Sequence, residues 1–435
     1  MDFTDAPIDQ TSATNLAEQQ LTLALVDTAN DRERYAAWHN VVNRGFYGER
    51  DDEKDVEFML NAGAYRRTTG VWDAAEAGVD PVATVSTWST PLSVPGGTVP
   101  TWAISAVTVA PTHRRRGIAR NLIEAELRTA AACNVPVAAL TASEATIYGR
   151  FGFAPAARVS KITIDTKRAS WAGPTPTGRV RFIELDELFE QGPAIFERER
   201  LQHPGEIELG ELLWSGTIDY RPGKEDKAKD IRAIQYTGAA GEVQGVAAYR
   251  VKEGSDDKLT ASVLHLAAAT DDAYAALWRF LLELDLVRVL EADLRSTDEP
   301  VLWQLSDVRA AKVAPYDHLW LRIIDPIAAL EARSYSRPVR LVLDVVDPLE
   351  FAQGRFLLEV NDAGSASVSH LTENAPADAG HLALSERDLA QIYVGGASAT
   401  ALHRAGRITE LTDGAVAHLD AAFHSPVAPR LGIWF

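Results

Sequence analysis

The sequence predicts a mixed α/β (α+β) protein of several domains, and three observations carry that prediction. The chain has 435 residues, which at roughly 100–200 residues per domain allows about two to four domains. Strand-like and helix-like patterns alternate, most clearly at 102–130, where an apolar strand runs into a turn and then an amphipathic helix. The alternation resumes from about Val180, after a stretch at 170–178 rich in Pro, Gly and Thr that reads as a linker.

Taken in order, residues 1–20 are polar with little periodicity and read as a disordered or loosely attached tail. Leu21 to Val26 starts a strand, and Arg32 to Val42 reads as a helix. The acidic run Glu49, Asp51, Asp52, Glu53 and Asp55 has two readings: carboxylates lining a channel for a cationic substrate, or a solvated helix cap, the commoner use of charge runs. Trp102 to Val109 alternates Trp102, Ile104 and Ala106 with Ala103, Ser105 and Val107, and Pro111 stops the strand. Ile118, Leu122 and Ala125, with Ile123, Leu127 and Ala130, form one apolar helical stripe. Val135 to Thr141 reads as a buried strand closed by Ala142, Ser143 and Glu144 at a short helical turn. Further on, strands are expected at 245–251 and 259–266 and a helix over 271–284. The last section, from Lys312, shows helix 326–335, strands 339–346 and 354–360, and helices 385–392 and 397–405.

Val107 to Arg120 carries the clearest chemistry. A strand enters an arginine-rich turn that opens a helix, whose first N–H groups lack intrahelical partners and whose dipole is positive there, so a pyrophosphate is well held. Gly117 lets the backbone approach a phosphate closely. A solvated arginine turn and a nucleic-acid-binding helix are the competing readings. The formal net charge of −18 argues against nucleic acid and for cationic partners, although solubility alone also accounts for it. Cys133 is the only cysteine, so no intrachain disulfide forms, and its apolar surroundings suggest a small buried hydrophobe. No apolar run is long enough to span a membrane and no secretory start is present, so the cytoplasm is the expected location, with export by a signal-independent route left open. The ten histidines form no zinc motif, and neither a nucleophile elbow nor a Walker loop occurs. Ser143 before Glu144 has no nearby histidine to make it a hydrolase nucleophile.

Arg114, Gly117 and Ala119 match every defined position of the coenzyme A pyrophosphate signature of the GCN5-related N-acetyltransferases, Q/R-x-x-G-x-G/A. The segments 111–117, 136–140, 142–144 and 147–152 together resemble the Eis (enhanced intracellular survival) acetyltransferases of actinobacteria. The likeness continues through 275–279, 319–322, 329–333 and 419–423 and is weakest over the first ~60 residues and in loops, where sequence varies most. The resemblance implies a catalytic acetyltransferase (GNAT) domain over 21–168, a degenerate one over 178–308 that lacks the arginine-glycine turn, and a sterol-carrier-protein-like domain over 312–435. It implies acetyl-CoA as cosubstrate, no metal, and transfer of acetyl to primary amines of cationic substrates such as aminoglycosides, polyamines or lysine side chains. Lysine-containing proteins are then possible partners, and a homohexamer is the implied assembly. Backbone groups of Val107, Thr108 and Val109 would meet the pantetheine. Arg115, Arg116, Gly117, Ile118, Ala119 and Arg120 would hold the pyrophosphate, and Ser143 and Glu144 would touch the cofactor's arm.

By the same resemblance Tyr148 would protonate the departing thiolate, its plainer reading being an aromatic packed under a turn. The apolar end Leu431 to Phe435 suggests a buried tail, and the resemblance makes the Phe435 carboxylate the general base for the amine. A carboxylate partly desolvated among aromatics is a stronger base. A tail docked only for packing is the alternative. Trp434 stands where family members commonly carry an acid. Two other classes of function stay open, a non-catalytic acetyl-CoA sensor and a lipid-binding protein of the sterol-carrier type.

Overall fold

A computed structural model describes residues 3–76, 78–254 and 258–435 of the chain. The first part contains α1 (Gln10–Ala17), β1 (Leu21–Leu25), α2 (Arg32–Gly45), α3 (Glu53–Ala62), β2 (Arg67–Asp73), β3 (Ala83–Val94), β4 (Gly97–Val109), α4 (Ile118–Ala132), β5 (Val137–Thr141), α5 (Ala145–Tyr148) and β6 (Ala154–Asp165). There follow β7 (Arg179–Ile183), α6 (Leu185–Arg200), α7 (Glu211–Ile218), β8 (Ile231–Thr237), β9 (Val243–Glu253), β10 (Leu259–Ala268), α8 (Asp271–Leu282), β11 (Val287–Arg295) and β12 (Ala311–Ile323). The chain closes with α9 (Pro326–Glu331), β13 (Val339–Val346), β14 (Gly354–Val360), β15 (Ala366–His370), β16 (Gly380–Ser385), α10 (Glu386–Tyr393), α11 (Ala399–Arg404), β17 (Thr409–Glu410) and α12 (Ala415–Phe423). Two compact units result: the chain up to Ala156 with Leu319–His424 and Phe435, and Ala157–His318 with Ser425–Trp434. This division does not follow the linear order of three domains, because the first and last thirds of the chain share one unit.

In the first unit the strands run β1, β2, β3, β4, β5 and then the Leu319–Ile323 end of β12, with β4 and β5 the one parallel neighbour pair in that run. The apolar stripe read from the sequence is the buried face of α4: Ile118, Leu122, Ile123, Leu127 and Ala130 sit in one core with Trp102, Ile104 and Leu140. Each large aliphatic side chain of that set stabilises the fold by about 1.5–3 kcal/mol. Beneath β3 and β4 a charge is buried: Glu126 accepts from Thr87 Oγ1 at 2.9 Å and Trp102 Nε1 at 3.2 Å, with Arg67 3.8 Å away.

The expected N-terminal tail is corrected here. Met1 and Asp2 lie outside the described residues, but residues 10–17 form α1, capped by Asp9 and buried at Leu16. Its anchors are polar and distant in sequence, which is why no periodicity announced it: Ser12 Oγ donates to the Asn121 carbonyl at 2.8 Å, and Arg128 binds Asp9 at 2.8 Å. Two members of the acidic run are cap residues. Asp52 and Asp55 form a reciprocal capping box on α3, and Asp51 contacts His39 on α2. Cys133 is partly exposed at the end of α4. Helix 326–335 stops at Glu331, because the Ser334 amide leaves the helix to bond the Pro95 carbonyl at 2.7 Å.

The same unit holds a second sheet in the order β15, β14, β13, β16, β17. An amide-rich turn at Asp347 secures the end of its central strand, β13: the carboxylate takes Arg322 at 2.5 Å and the Ala352 amide at 2.7 Å, with both charged groups fully buried. In the second unit β6 pairs antiparallel with β11, β11 parallel with β10, and β9, β8 and β7 follow antiparallel. Helix α8 lays Leu277, Trp278 and Leu281 into that unit's core. The tail Ser425–Trp434 is held there by Arg430, which reaches Glu199 at 2.6 Å and Glu206 at 3.0 Å. His318 Nε2 and the Ile433 carbonyl lie 2.7 Å apart, and the His318 and Trp434 rings meet edge to face.

Candidate active site

Two departures from regular backbone shape the site in the first unit. On β4 the register against β3 slips between Thr84 and Ser86, and Ala106 takes φ +53°, so β4 carries a bulge just before Val107. On its other side β4 pairs with β5 only over Thr101–Ala103 against Val137–Ala139. Past that point the two parallel strands lose their ladder. There the backbone of Val107, Thr108 and Val109 has no β5 partner on that side. The hydroxyls of Thr108 and Thr84 hold each other at 2.7 Å, and Thr84 also donates to the Ala106 carbonyl, which fixes the bulge.

The arginine-rich turn follows directly. Gly117 caps α4 with φ +72°, and Arg115 is also left-handed at +65°. Because the chain curls this way, the first amides of α4, at Ile118, Ala119 and Arg120, face outward without intrahelical acceptors. The Ile118 side chain turns into the core, so only its amide can serve a ligand. Arg114, Arg115 and Arg120 are exposed, whereas Arg116 is tied down: it binds Asp73 at 3.1 Å and the Gln19 carbonyl at 2.9 Å. His113 reaches the same Asp73 oxygen at 3.1 Å, and hydrogen bonds from the Ala75 amide and from Arg116 hold that carboxyl below its ordinary range. Arg116 thus braces the turn more than it offers itself to a ligand. The outward amides, exposed arginines and adjoining strand gap fit the pyrophosphate and arm of a coenzyme A molecule.

Ser143 and Glu144 are exposed beyond the end of β5. Tyr148 ends α5 and is buried, its ring 6.2 Å from that of Phe153 in an edge-to-face contact. Burial, then the negative charge of Glu144, raises the Tyr148 hydroxyl above its ordinary value of 10.0. Phe435 lies at the last residue of β5: Thr141 Oγ1 donates to a main-chain oxygen of Phe435 at 2.6 Å, and the Phe435 ring meets Trp88 edge to face at 5.5 Å.

Sequence reasoning missed several residues of this neighbourhood. Trp88, Tyr65 and Arg66 cluster beside Phe435, with the Arg66 guanidinium 4.1 Å from the Trp88 ring centre. Arg66 sits in an Arg-Arg pair whose members part: Arg67 turns into the core and Arg66 stays half-buried on the site side. Only the alternation of faces at the start of β2 could have signalled that. Asp73 was hidden in the same way, as one acid among many on a highly acidic chain. Among the described residues no group of three or more His, Cys, Asp or Glu could hold a metal ion, and no helix is long and apolar enough to cross a membrane.

Comparison with known proteins fits this geometry. Family models of the acetyltransferase (GNAT) domain match residues 28–156 and 205–323, and a sterol carrier protein domain model matches 327–432. N-acetyltransferase Eis of Mycobacterium tuberculosis is 36% identical over 355 residues, covering 79% of this chain and 83% of its own. An uncharacterized N-acetyltransferase of Streptomyces avermitilis is 34% identical over 408 residues, covering 91% and 94%. The crystal structure of Eis1 from Mycobacterium abscessus superposes with a TM-score of 0.78 at 28% identity, covering 95% of this chain and all of that one. A GCN5-related N-acetyltransferase from Anabaena variabilis shares the fold, at a TM-score of 0.78 and 17% identity. With its two acetyltransferase domains and its sterol-carrier-like domain, the chain belongs to the Eis family of GCN5-related N-acetyltransferases.

Proposed function

We propose that the protein transfers the acetyl group of acetyl-CoA directly to a primary amine, in one ternary complex. The observation that carries this reading is the meeting of Phe435 with Thr141 at the open end of β5, next to the gap between β4 and β5. An ammonium must lose a proton before its nitrogen can attack a thioester, and the Phe435 carboxylate is the base in this reading. The nitrogen attacks the acetyl carbonyl, the carbon–sulfur bond breaks, and Tyr148 gives its proton to the leaving thiolate. Its raised pKa suits that task, since the phenol stays protonated at neutral pH. Backbone groups of Val107 to Val109 and the amides of Gly117 to Arg120 bind the cofactor, and Ser143 and Glu144 border its arm.

Aminoglycosides, polyamines and lysine side chains are the cationic acceptors that the overall charge of −18 favours. The homohexamer and the cytoplasmic location belong to the same proposal. A sensor or sterol-carrier reading has no specific observation in its favour. The test is Tyr148→Phe, assayed by release of coenzyme A thiol in the presence and absence of amine. Removing one general acid lowers kcat by roughly 10²–10⁴-fold, with acetyl-CoA affinity unchanged. An unchanged kcat removes Tyr148 from the mechanism.

A further inference from the structure

The turn that follows Tyr148 forms one wall of a cavity of about 440 Å³, which Pro348, Leu349 and the start of α10 complete. Its charged lining is three arginines, Arg150, Arg387 and Arg407, against two acids, Glu386 and Asp388. The Asp388 carboxylate closes the capping box with Ser385 and pairs with Arg407 at 2.9 Å. Glu386 is buried, and that burial raises its carboxyl above the ordinary range against the opposing charge of Arg322, with Asp347 adding to the rise. The guanidinium groups of Arg150 and Arg387 make no hydrogen bond or ion pair to any described residue, Glu386 included. On a chain of net charge −18, this cavity therefore keeps an excess of positive charge.

The wall is shaped around those groups. Arg387 lies over Gly149: a Cβ there would stand 3.1 Å from its Nη2 and 3.3 Å from its Cζ, so the glycine makes room for the guanidinium. The Arg387 Nε is buried without a hydrogen-bond partner, and so is the Nε of Arg322, which lies against Gly152 and is otherwise fixed by Asp347. A buried donor with no acceptor in its own chain is uncommon and is met from outside, by water or an ion. We infer that this cavity binds the phosphate group of a small phosphate ester between Arg150 and Arg387, as a ligand separate from the cofactor. One guanidinium fork fills both oxygens of a carboxylate, whereas two forks on one cavity suit the three terminal oxygens of a phosphate ester. The first turn of α10 is served by its capping box, so the arginines supply the grip. The volume leaves room for an organic group beyond the phosphate. The site shares no residue with the 114–120 turn or with the Phe435 cluster, so the inference does not rest on the acetyl-transfer reading.

Coenzyme A carries a ribose phosphate of its own, and the experiment separates the two sources. Inorganic phosphate is titrated calorimetrically, at constant ionic strength, into the full chain saturated with coenzyme A and into the chain saturated with dephospho-coenzyme A, with acetate as the carboxylate control. Phosphate should bind both forms equally at one site per chain, and acetate at least about tenfold more weakly. Arg150→Gln, at an exposed residue and so without consequence for folding, and Arg387→Gln should each weaken phosphate about ten- to a hundredfold, the effect of losing a charge-assisted hydrogen bond, and leave coenzyme A affinity unchanged. No phosphate binding, binding that either substitution leaves unchanged, or acetate bound as tightly as phosphate overturns the inference. Phosphate that binds beside dephospho-coenzyme A but is blocked by coenzyme A also overturns it, since the cavity then holds the cofactor's own phosphate.

Discussion

Thr141→Val isolates the hydrogen bond that holds Phe435. The hydroxyl of Thr141 is 2.6 Å from a Phe435 oxygen, and valine replaces it with a methyl of nearly equal volume on the same β-branched frame. Thr141 pairs with Leu319 of β12 through its backbone, so the strand should keep its register. A hydrogen bond to an anion is worth about 1.5–3 kcal/mol, and the partial exposure of both residues puts this one near the lower end, so kcat/KM for the amine should fall roughly tenfold. The loss should sit in kcat/KM for the amine and spare acetyl-CoA binding, because β5 contributes no pyrophosphate contact. The assay is steady-state thiol release over a range of amine concentrations at fixed saturating acetyl-CoA, with Thr141→Ser as the control that keeps the hydroxyl. An unchanged kcat/KM in a folded Thr141→Val protein would refute the idea that this bond positions a catalytic group.

Two further outcomes test other parts of the account. Gly117→Ala forces a Cβ onto φ +72° with no heavy atom nearer than 3.9 Å, so the cost is backbone strain of about 1–2 kcal/mol; KM for acetyl-CoA should rise severalfold at nearly constant kcat, read by varying acetyl-CoA. In the second unit burial, then the charges of Arg295 and Arg430, lowers His265 to about 3, and burial lowers His203 to about 4. Both are neutral in the fold and titrate near 6.5 when unfolded. The unfolded chain therefore binds more protons below that value: the stability these groups contribute is complete above pH 6.5 and declines as pH falls toward 4. Melting temperatures across that range should drop with acidification, and His265→Leu should flatten the drop. A slope that His265→Leu leaves unchanged would exclude that histidine.

Local signals made much of this legible in the sequence. The strand, turn and helix over 97–132 could be read because one face of α4 is apolar at helical spacing and Gly117 punctuates its start. Even the motif's arginines were separable only in space, since Arg116 proves to be a brace for Asp73 while Arg114 and Arg115 are exposed. Helix α1 escaped notice because its anchors, Asp9 to Arg128 and Ser12 to Asn121, are polar and join residues more than a hundred positions apart. Acceptor-side chemistry was illegible for a related reason. Net charge could not say which acids face a substrate: Asp52 and Asp55 cap α3, Asp51 contacts His39, and Arg66 stacks on Trp88 in a way that no spacing rule reveals. The two-unit division was equally hidden, because it depends on β12 returning to pair with β5.

The central claim is amine-dependent acetyl transfer with Phe435 in the machinery. The most direct measurement is the release of coenzyme A thiol from acetyl-CoA by the full chain and by a variant lacking Trp434 and Phe435, each with and without a panel of primary amines. The account predicts release that depends on amine in the full chain and is lost in the truncated one, with acetyl-CoA binding retained by both. Equal amine-dependent release from the two proteins would contradict it.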